Sequence, residues 1–288
     1  MRLKILPQQL NCPFDEHRFN VHSQCGEDGV IKYLLGLAGI DKGYFVEFGA
    51  WDGKHLSNCA WLAEQEWEGC FIEGDTKRFE DLHSNYGENC NVSTLNAFVR
   101  SSGEDALDKL LDRVHAPKEI TVLSIDIDGN DYRVWEALAE HSALLCVIEF
   151  NPPIPALVAL VQDDDPALNF GNSLAALWEL AVQKDYSLVA ATDWNAFFMS
   201  TAVCQKFSIP SYTPNEVKNI QYESALFHGY NGQMMVSGYT ELVWHGVPFD
   251  SAEFQILPKQ LQELPVGRDK AYYEALEVFK ARRKCPGN

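Results

Sequence analysis

The residues best suited to chemistry stand in acidic turns punctuated by glycine. The first is Tyr44-Phe45-Val46-Glu47-Phe48-Gly49-Ala50-Trp51-Asp52-Gly53, and it is followed by Gly69-Cys70-Phe71-Ile72-Glu73-Gly74-Asp75. Glycines let a backbone approach a ligand where a Cβ would collide. An acid that ends the next apolar run is placed to accept hydrogen bonds from a ribose diol. Glu47, Gly49, Ala50, Asp52, Gly53, Glu73, Gly74 and Asp75 therefore form a candidate nucleotide half-site, with Asn96 at the end of the third apolar run as a candidate contact to an adenine edge. The spacing is Gly-x-x-x-Gly and not the Gly-x-Gly-x-x-Gly of dinucleotide binding. Glu47 and Asp52 would repel a pyrophosphate but suit a cation, so the polarity fits S-adenosylmethionine, a sulfonium with an amino acid end, better than NAD.

A second constellation is Ser124-Ile125-Asp126-Ile127-Asp128-Gly129-Asn130-Asp131, answered by Ile148-Glu149-Phe150-Asn151-Pro152. Asp126 and Asp128 end one apolar run, and Glu149 and Asn151 end the next. Open α/β sheets bind ligands beyond the carboxyl ends of their strands, so these oxygens are expected on one rim. Crowded carboxylates need protons or a cation, and hard oxygen donors suit Mg2+, Ca2+ or Mn2+. A metal on Asp126, Asp128, Glu149 and Asn151 would bind a substrate hydroxyl and lower its pKa. Without a metal the same acids act as caps and cofactor contacts, with Asp126 or Asp128 as general base; both readings stand. His55, just past the first glycine turn, is a further candidate base or substrate contact. Asp126-x-Asp128-Gly129 also resembles the nucleophile loop of haloacid-dehalogenase-type phosphatases, which makes a magnesium-dependent phosphatase using Asp126 the alternative enzyme. That loop normally lies on the first strand of its domain. An EF-hand does not fit, because glycine falls at the fourth loop position and Ala137 occupies the twelfth.

Alternating apolar runs and helix-like stretches must position these residues. Strands are expected at 44–48, 70–73, 92–98, 121–127, 144–150, 187–192 and 196–200, with helices at 28–37, 57–66, 77–85, 104–114, 132–141 and 173–184. Strands rich in Val, Ile, Leu and Phe require a sheet covered on both faces. Only Asp193-Trp194-Asn195 separates the last two strands, too short for a crossover, so they pair as an antiparallel hairpin. The fold class is α/β, a doubly wound Rossmann-like sheet of seven mainly parallel strands with a terminal antiparallel hairpin. Residues 1–205 form this domain, with an N-terminal helical cap that begins at Ser23-Gln24-Cys25-Gly26-Glu27-Asp28-Gly29. Residues 206–288, rich in proline and with a helix at 268–284, are expected to pack on the core as a lid or oligomer element.

The net charge of −18 over 288 residues argues against nucleic acid and anionic membranes as partners. Small neutral or cationic substrates stay open, as does a homo-oligomer. The start, Met1-Arg2-Leu3-Lys4-Ile5-Leu6-Pro7, does not read as a signal peptide. Eight cysteines, none in a Cys-x-x-Cys pair, read as reduced core thiols of a cytoplasmic protein.

In this order the motifs resemble the FkbM-type S-adenosylmethionine-dependent methyltransferases. The resemblance runs through Ser23-Gln24-x-Gly26-Glu27-Asp28, Phe45 to Gly53, Ile72-Glu73-Gly74-Asp75, Ser124 to Tyr132 and Ile148-Glu149-x-Asn151-Pro152, over roughly residues 23–200. Asp128-Gly129-Asn130-Asp131 departs from the more usual family form, Asp-x-Glu-Gly. The resemblance implies the class I methyltransferase sheet and methyl transfer from S-adenosylmethionine to oxygen, often on a sugar or a natural-product hydroxyl. A non-catalytic, cofactor-binding regulatory subunit is the reading from a different class.

Overall fold

The computed structural model describes residues 14–165, 167–262 and 268–284. Two compact units divide the chain after Ile220. The larger unit holds α1 (Glu27–Leu37), β1 (Tyr44–Phe48), α2 (Ala60–Glu64), β2 (Glu68–Glu73), α3 (Thr76–Tyr86), β3 (Val92–Asn96) and α4 (Leu107–Arg113). It continues with β4 (Glu119–Ile125), α5 (Asp131–Ala137), β5 (Ser142–Glu149), α6 (Leu174–Gln183), β6 (Tyr186–Ala191), β7 (Asn195–Ser200), α7 (Thr201–Phe207) and α8 (Pro214–Val217).

These strands form one seven-stranded sheet in the order β3-β2-β1-β4-β5-β7-β6. The first five run parallel, and β7 is antiparallel to both β5 and β6. This is the Rossmann-like sheet with a closing antiparallel hairpin expected from the sequence. Apolar residues on both strand faces feed two separate cores. Val46, Phe48, Leu123 and Ile148 meet α4, α5 and α6 through Leu110, Trp135 and Leu177. Phe45, Phe71, Val122 and Val147 meet α1, α2 and α3 through Leu34, Leu62 and Leu82. The order reverses between β1 and β4, which leaves a crevice at their carboxyl ends.

The helix expected over 57–66 begins three residues late, at Ala60. The backbone N–H groups of Asn58 and Cys59 donate instead to the Glu47 carboxylate, at 3.1 and 3.0 Å. Residues 206–220, which the sequence reading grouped with the C-terminal extension, lie in the larger unit; there the buried Lys218 ammonium donates to the Pro152 carbonyl at 2.8 Å. The smaller unit contains the antiparallel hairpin β8 (Ser224–His228) and β9 (Met234–Gly238), the short pair β10 (Glu241–Leu242) and β11 (Val247–Pro248), and α9 (Lys270–Lys284). Among the described residues, no helix is long and apolar enough to cross a membrane. Cys25, Cys59, Cys70, Cys90, Cys146 and Cys204 are free thiols, while Cys12 and Cys285 lie outside the described residues.

Gly49 fixes the crevice. Its φ is +77°, and a Cβ there would sit 1.6 Å from the Asp126 carbonyl oxygen. Gly39 also has a left-handed backbone, φ +69°, but nothing lies within 4 Å of a Cβ built there. Gly49→Ala is therefore expected to cost on the order of 3 kcal/mol or more, against about 1 kcal/mol for Gly39→Ala, as measured by urea denaturation. Equal losses would contradict the close approach of the two turns.

Candidate functional site

Glu47 occupies a position on β1 that the strand pattern would give to an apolar side chain, and it is 3% exposed. Its Oε2 accepts from Ser57 Oγ at 2.6 Å and from Cys59 N, while Oε1 accepts from Asn58 N. Both oxygens are thus engaged in holding residues 57–59. Burial pushes the carboxyl up to about 7, with the bonds from Ser57, Asn58 and Cys59 pulling the other way. Asn58 Nδ2 in turn donates to Ser124 Oγ at 3.1 Å and ties this loop to β4. Neither Ser57 nor Asn58 stood out in the sequence, because a polar pair ahead of a helix reads as an ordinary cap.

Glu73, at the end of β2, is 5% exposed and bridges two turns. It accepts from Trp51 N at 2.8 Å through Oε2 and from Asp75 N at 2.7 Å through Oε1. Each oxygen keeps a second lone pair for an outside donor. Asn96 Nδ2 donates to the Glu73 carbonyl at 2.8 Å, and Asp75 caps α3 by accepting from Arg78 N. A Cβ on Gly74 would meet the Phe98 ring at 2.3 Å, and Phe98 is 63% exposed. Phe98 and Trp51, the latter with the Arg78 guanidinium 3.9 Å from its ring, are the exposed aromatics of this edge. The sequence reading placed Phe98 inside a strand and did not single it out.

Other members of the first turn are anchored locally. Asp52 Oδ1 accepts from Lys54 N and His55 N. Gly53 backs onto α3, where a Cβ would lie 2.6 Å from both Leu82 and Tyr86, and Tyr86 donates to the Gly53 carbonyl. His55 is exposed and packs edge-on against Trp51 with ring centroids 5.1 Å apart. Ala50 N joins Gly49 N in donating to the Ile72 carbonyl.

Across the crevice, Asp126, Asp128 and Glu149 each offer an oxygen, and these lie within 4.8 Å of one another. Asp126 and Glu149 are hydrogen-bonded together. Burial first, and then the charges of Asp131 and Asp128, push Asp126 well above the usual carboxylate range; burial and the Asp126 charge do the same to Glu149. Two carboxyls bonded in this way hold a proton between them more readily than either would alone. Asp128 is exposed and held at φ +57°. Asp131, which the sequence reading left out of the site, shapes this turn by accepting from Ile127 N and Gly129 N, both at 2.9 Å. Asn151 Nδ2 donates to the Phe170 carbonyl, and its buried Oδ1 has no hydrogen-bond partner among the described residues.

This donor set fits one hard cation. Oxygens at opposite vertices of a Mg2+ octahedron are about 4.2 Å apart, within the spread of the three carboxylates. Asn151 Oδ1, just past the end of β5, is a neutral buried oxygen with no hydrogen-bond partner among the described residues. Asp126 follows β4 and not the first strand of the sheet, which weighs against it as a phosphatase nucleophile.

The helix entry upstream is also built around acids. Asp28 Oδ2 accepts from Val21 N, His22 N and Ser23 N, and Ser23 Oγ accepts from Asp28 N in the first turn of α1. Glu27, fully buried, accepts from Thr192 Oγ1 at 2.6 Å and ties α1 to the β6–β7 hairpin.

No family model matches the chain, and no curated protein matches it. Solved structures resemble it at low identity. The N-terminal domain of EvdMO1 with SAH bound is 8% identical, with a TM-score of 0.42 over 60% of this chain and 81% of that one. An O-methyltransferase from Bacillus cereus in complex with SAH is 18% identical, with a TM-score of 0.42 over 62% of this chain and 82% of that one. TrmK from M. capricolum in complex with S-adenosyl-homocysteine is 12% identical, with a TM-score of 0.38 over 88% of this chain and 95% of that one.

Glu47 makes stability depend on pH. A carboxyl raised from 4.5 to about 7 holds its proton more tightly in the folded state. Its contribution is complete below the unfolded value and is lost as pH rises through the folded one, a change of roughly 3 kcal/mol. Urea denaturation is expected to show that Glu47→Gln narrows the stability difference between about pH 5 and about pH 8. An undiminished difference would mean that Glu47 does not bind a proton on folding.

Proposed function

We infer that the chain is an S-adenosylmethionine-dependent O-methyltransferase of the FkbM type, acting on a hydroxyl of a small molecule such as a sugar or natural product. The observation that carries this reading is the junction at the crevice. The cofactor-type turn at Gly49 touches the Asp126 backbone, so Glu73 and the acid cluster flank one opening. Glu73 would hold the ribose hydroxyls, with Phe98 and Asn96 at the adenine edge. The positive sulfonium would lie toward an acidic rim, which favours the charged donor. The charge of −18 supports a small molecule over RNA as acceptor.

In the transfer, the acceptor oxygen attacks the methyl carbon in line with the breaking bond to sulfur, and sulfur keeps the electron pair. The deprotonated member of the Asp126–Glu149 pair takes the hydroxyl proton. Its raised affinity for protons suits general-base work near neutral pH. Mg2+ or Mn2+ held by Asp126, Asp128, Glu149 and Asn151 would instead acidify the bound hydroxyl. The smaller unit is proposed as the lid or oligomer element of the enzyme.

Calorimetric titration with S-adenosylhomocysteine checks the cofactor half. Binding by the wild type, weakened about tenfold or more by Glu73→Ala, is the expected result; no binding, or equal binding by the variant, would contradict it. For the metal half, Glu149→Gln should raise the metal-free melting temperature near pH 8, because the amide gives Asp126 a neutral hydrogen-bond partner without the proton uptake that the acid pair needs on folding. Mn2+ should raise that of the wild type and leave the variant unchanged. A Mn2+ response retained in the variant would remove Glu149 from the metal set.

A further inference from the structure

The connection between β5 and α6 carries large apolar side chains into solvent: Leu157 is 78% exposed, Val158 43%, Leu168 41% and Phe170 56%. Exposed residues on a floppy loop would mean little, but the backbone of this one is fixed by buried amides. Gln162, 3% exposed, accepts from Phe170 N at 2.7 Å and Gly171 N at 3.1 Å through Oε1, and donates through Nε2 to the Leu168 carbonyl and to Asn130 Oδ1. Asn172, 1% exposed, accepts from Gln162 N and donates to the Gly129 carbonyl. Ser173 Oγ accepts from Leu160 N. Residues 160–162 and 168–173 are thus locked while Leu168 and Phe170 face water.

The backbone of Leu168 and Phe170 also borders the acidic turns. A Cβ on Gly129 would meet the Leu168 carbonyl at 2.8 Å, so Leu168 abuts the turn that carries Asp128. Asn151, at the end of the strand that bears Glu149, holds the Phe170 carbonyl. The segment that carries the exposed Leu168 and Phe170 side chains, an apolar lip, is therefore anchored by its backbone beside the Asp126–Asp128–Glu149 cluster, and the complement of apolar groups next to acids is one molecule with a polar, hydroxylated end and an apolar body.

We propose that the acceptor carries its methylated hydroxyl on an apolar body, alkyl or aryl, that packs on Leu168 and Phe170, and that it is not a bare sugar. The proposal rests on the methyl-transfer reading for the hydroxyl end, whereas the lip is a property of the loop alone. Dispersion and water release on the lip supply affinity, and the acids select the hydroxyl end.

The probe is a series of 1,2-alkanediols from propanediol to octanediol, titrated into the full chain with S-adenosylhomocysteine and Mn2+ present and followed by ligand-observed NMR. Affinity should rise roughly twofold or more for each added methylene. The rise should flatten in Leu168→Ser and Phe170→Ser and persist in Val182→Ser, an exposed apolar control on α6. Affinity that is flat with chain length, absence of binding across the series, or a slope unchanged in the lip variants would overturn the proposal. So would a dimer, seen by sedimentation, that Phe170→Ser dissociates, since a second copy would then be what covers the lip. Calorimetry with S-adenosylhomocysteine alone separates the two failures. Loss of cofactor binding counts against the methyltransferase reading, and a flat series with cofactor binding intact counts against the apolar acceptor.

Discussion

The backbone of Gly49 lies so close to the carbonyl of Asp126 that no side chain fits between them. That contact sits at the point where the strand order reverses, between β1 and β4. It draws the turn after β1 onto the turn after β4 and so makes one opening of what would otherwise be two rims. Everything proposed for the chain depends on this proximity, because a methyl donor bound by one turn must reach an acceptor held by the other. The hydrogen bonds around it reinforce the junction: Asp126 N approaches the Phe48 carbonyl, Gly49 N donates to Ile72, and Asn58 bonds Ser124.

The acids around the opening divide by what they bond. Glu47 and Asp131 accept backbone N–H groups and give the two loops their shapes, at the cost of desolvating a carboxylate each. Asp126 and Glu149 bond to each other, an arrangement that leaves them sharing a proton or awaiting a cation. Glu73 stands between these cases, since it is fixed by two backbone donors and still has lone pairs to offer. Rigid acids thus set the frame in which the titratable pair is free to do chemistry.

The strand runs, the mainly parallel sheet and its closing hairpin were legible because a sheet covered on both faces writes itself as unbroken Val, Ile, Leu and Phe, and because a three-residue link admits only a hairpin. The convergence of Asp126, Asp128 and Glu149 was legible for the same reason: residues that end neighbouring parallel strands share a rim. Long-range side-chain bonds were not. Nothing local announces that Glu47 reaches over to Ser57 and Cys59, and so the helix start was read three residues early. Gln162 and Asn172 escaped notice because isolated amides in a long connection carry no periodic signal, though they lock the loop beside the acids. Phe98 was absorbed into an apolar run, where an aromatic at the strand end cannot be told from one in the core.

A crystal structure with S-adenosylhomocysteine and Mn2+ tests the central claim most directly. The account predicts ribose hydroxyls on Glu73, the sulfur directed toward Asp126 and Glu149, and anomalous Mn2+ density among Asp126, Asp128 and Glu149. A ligand bound away from Glu73, or a sulfur directed away from the acid cluster, would contradict it.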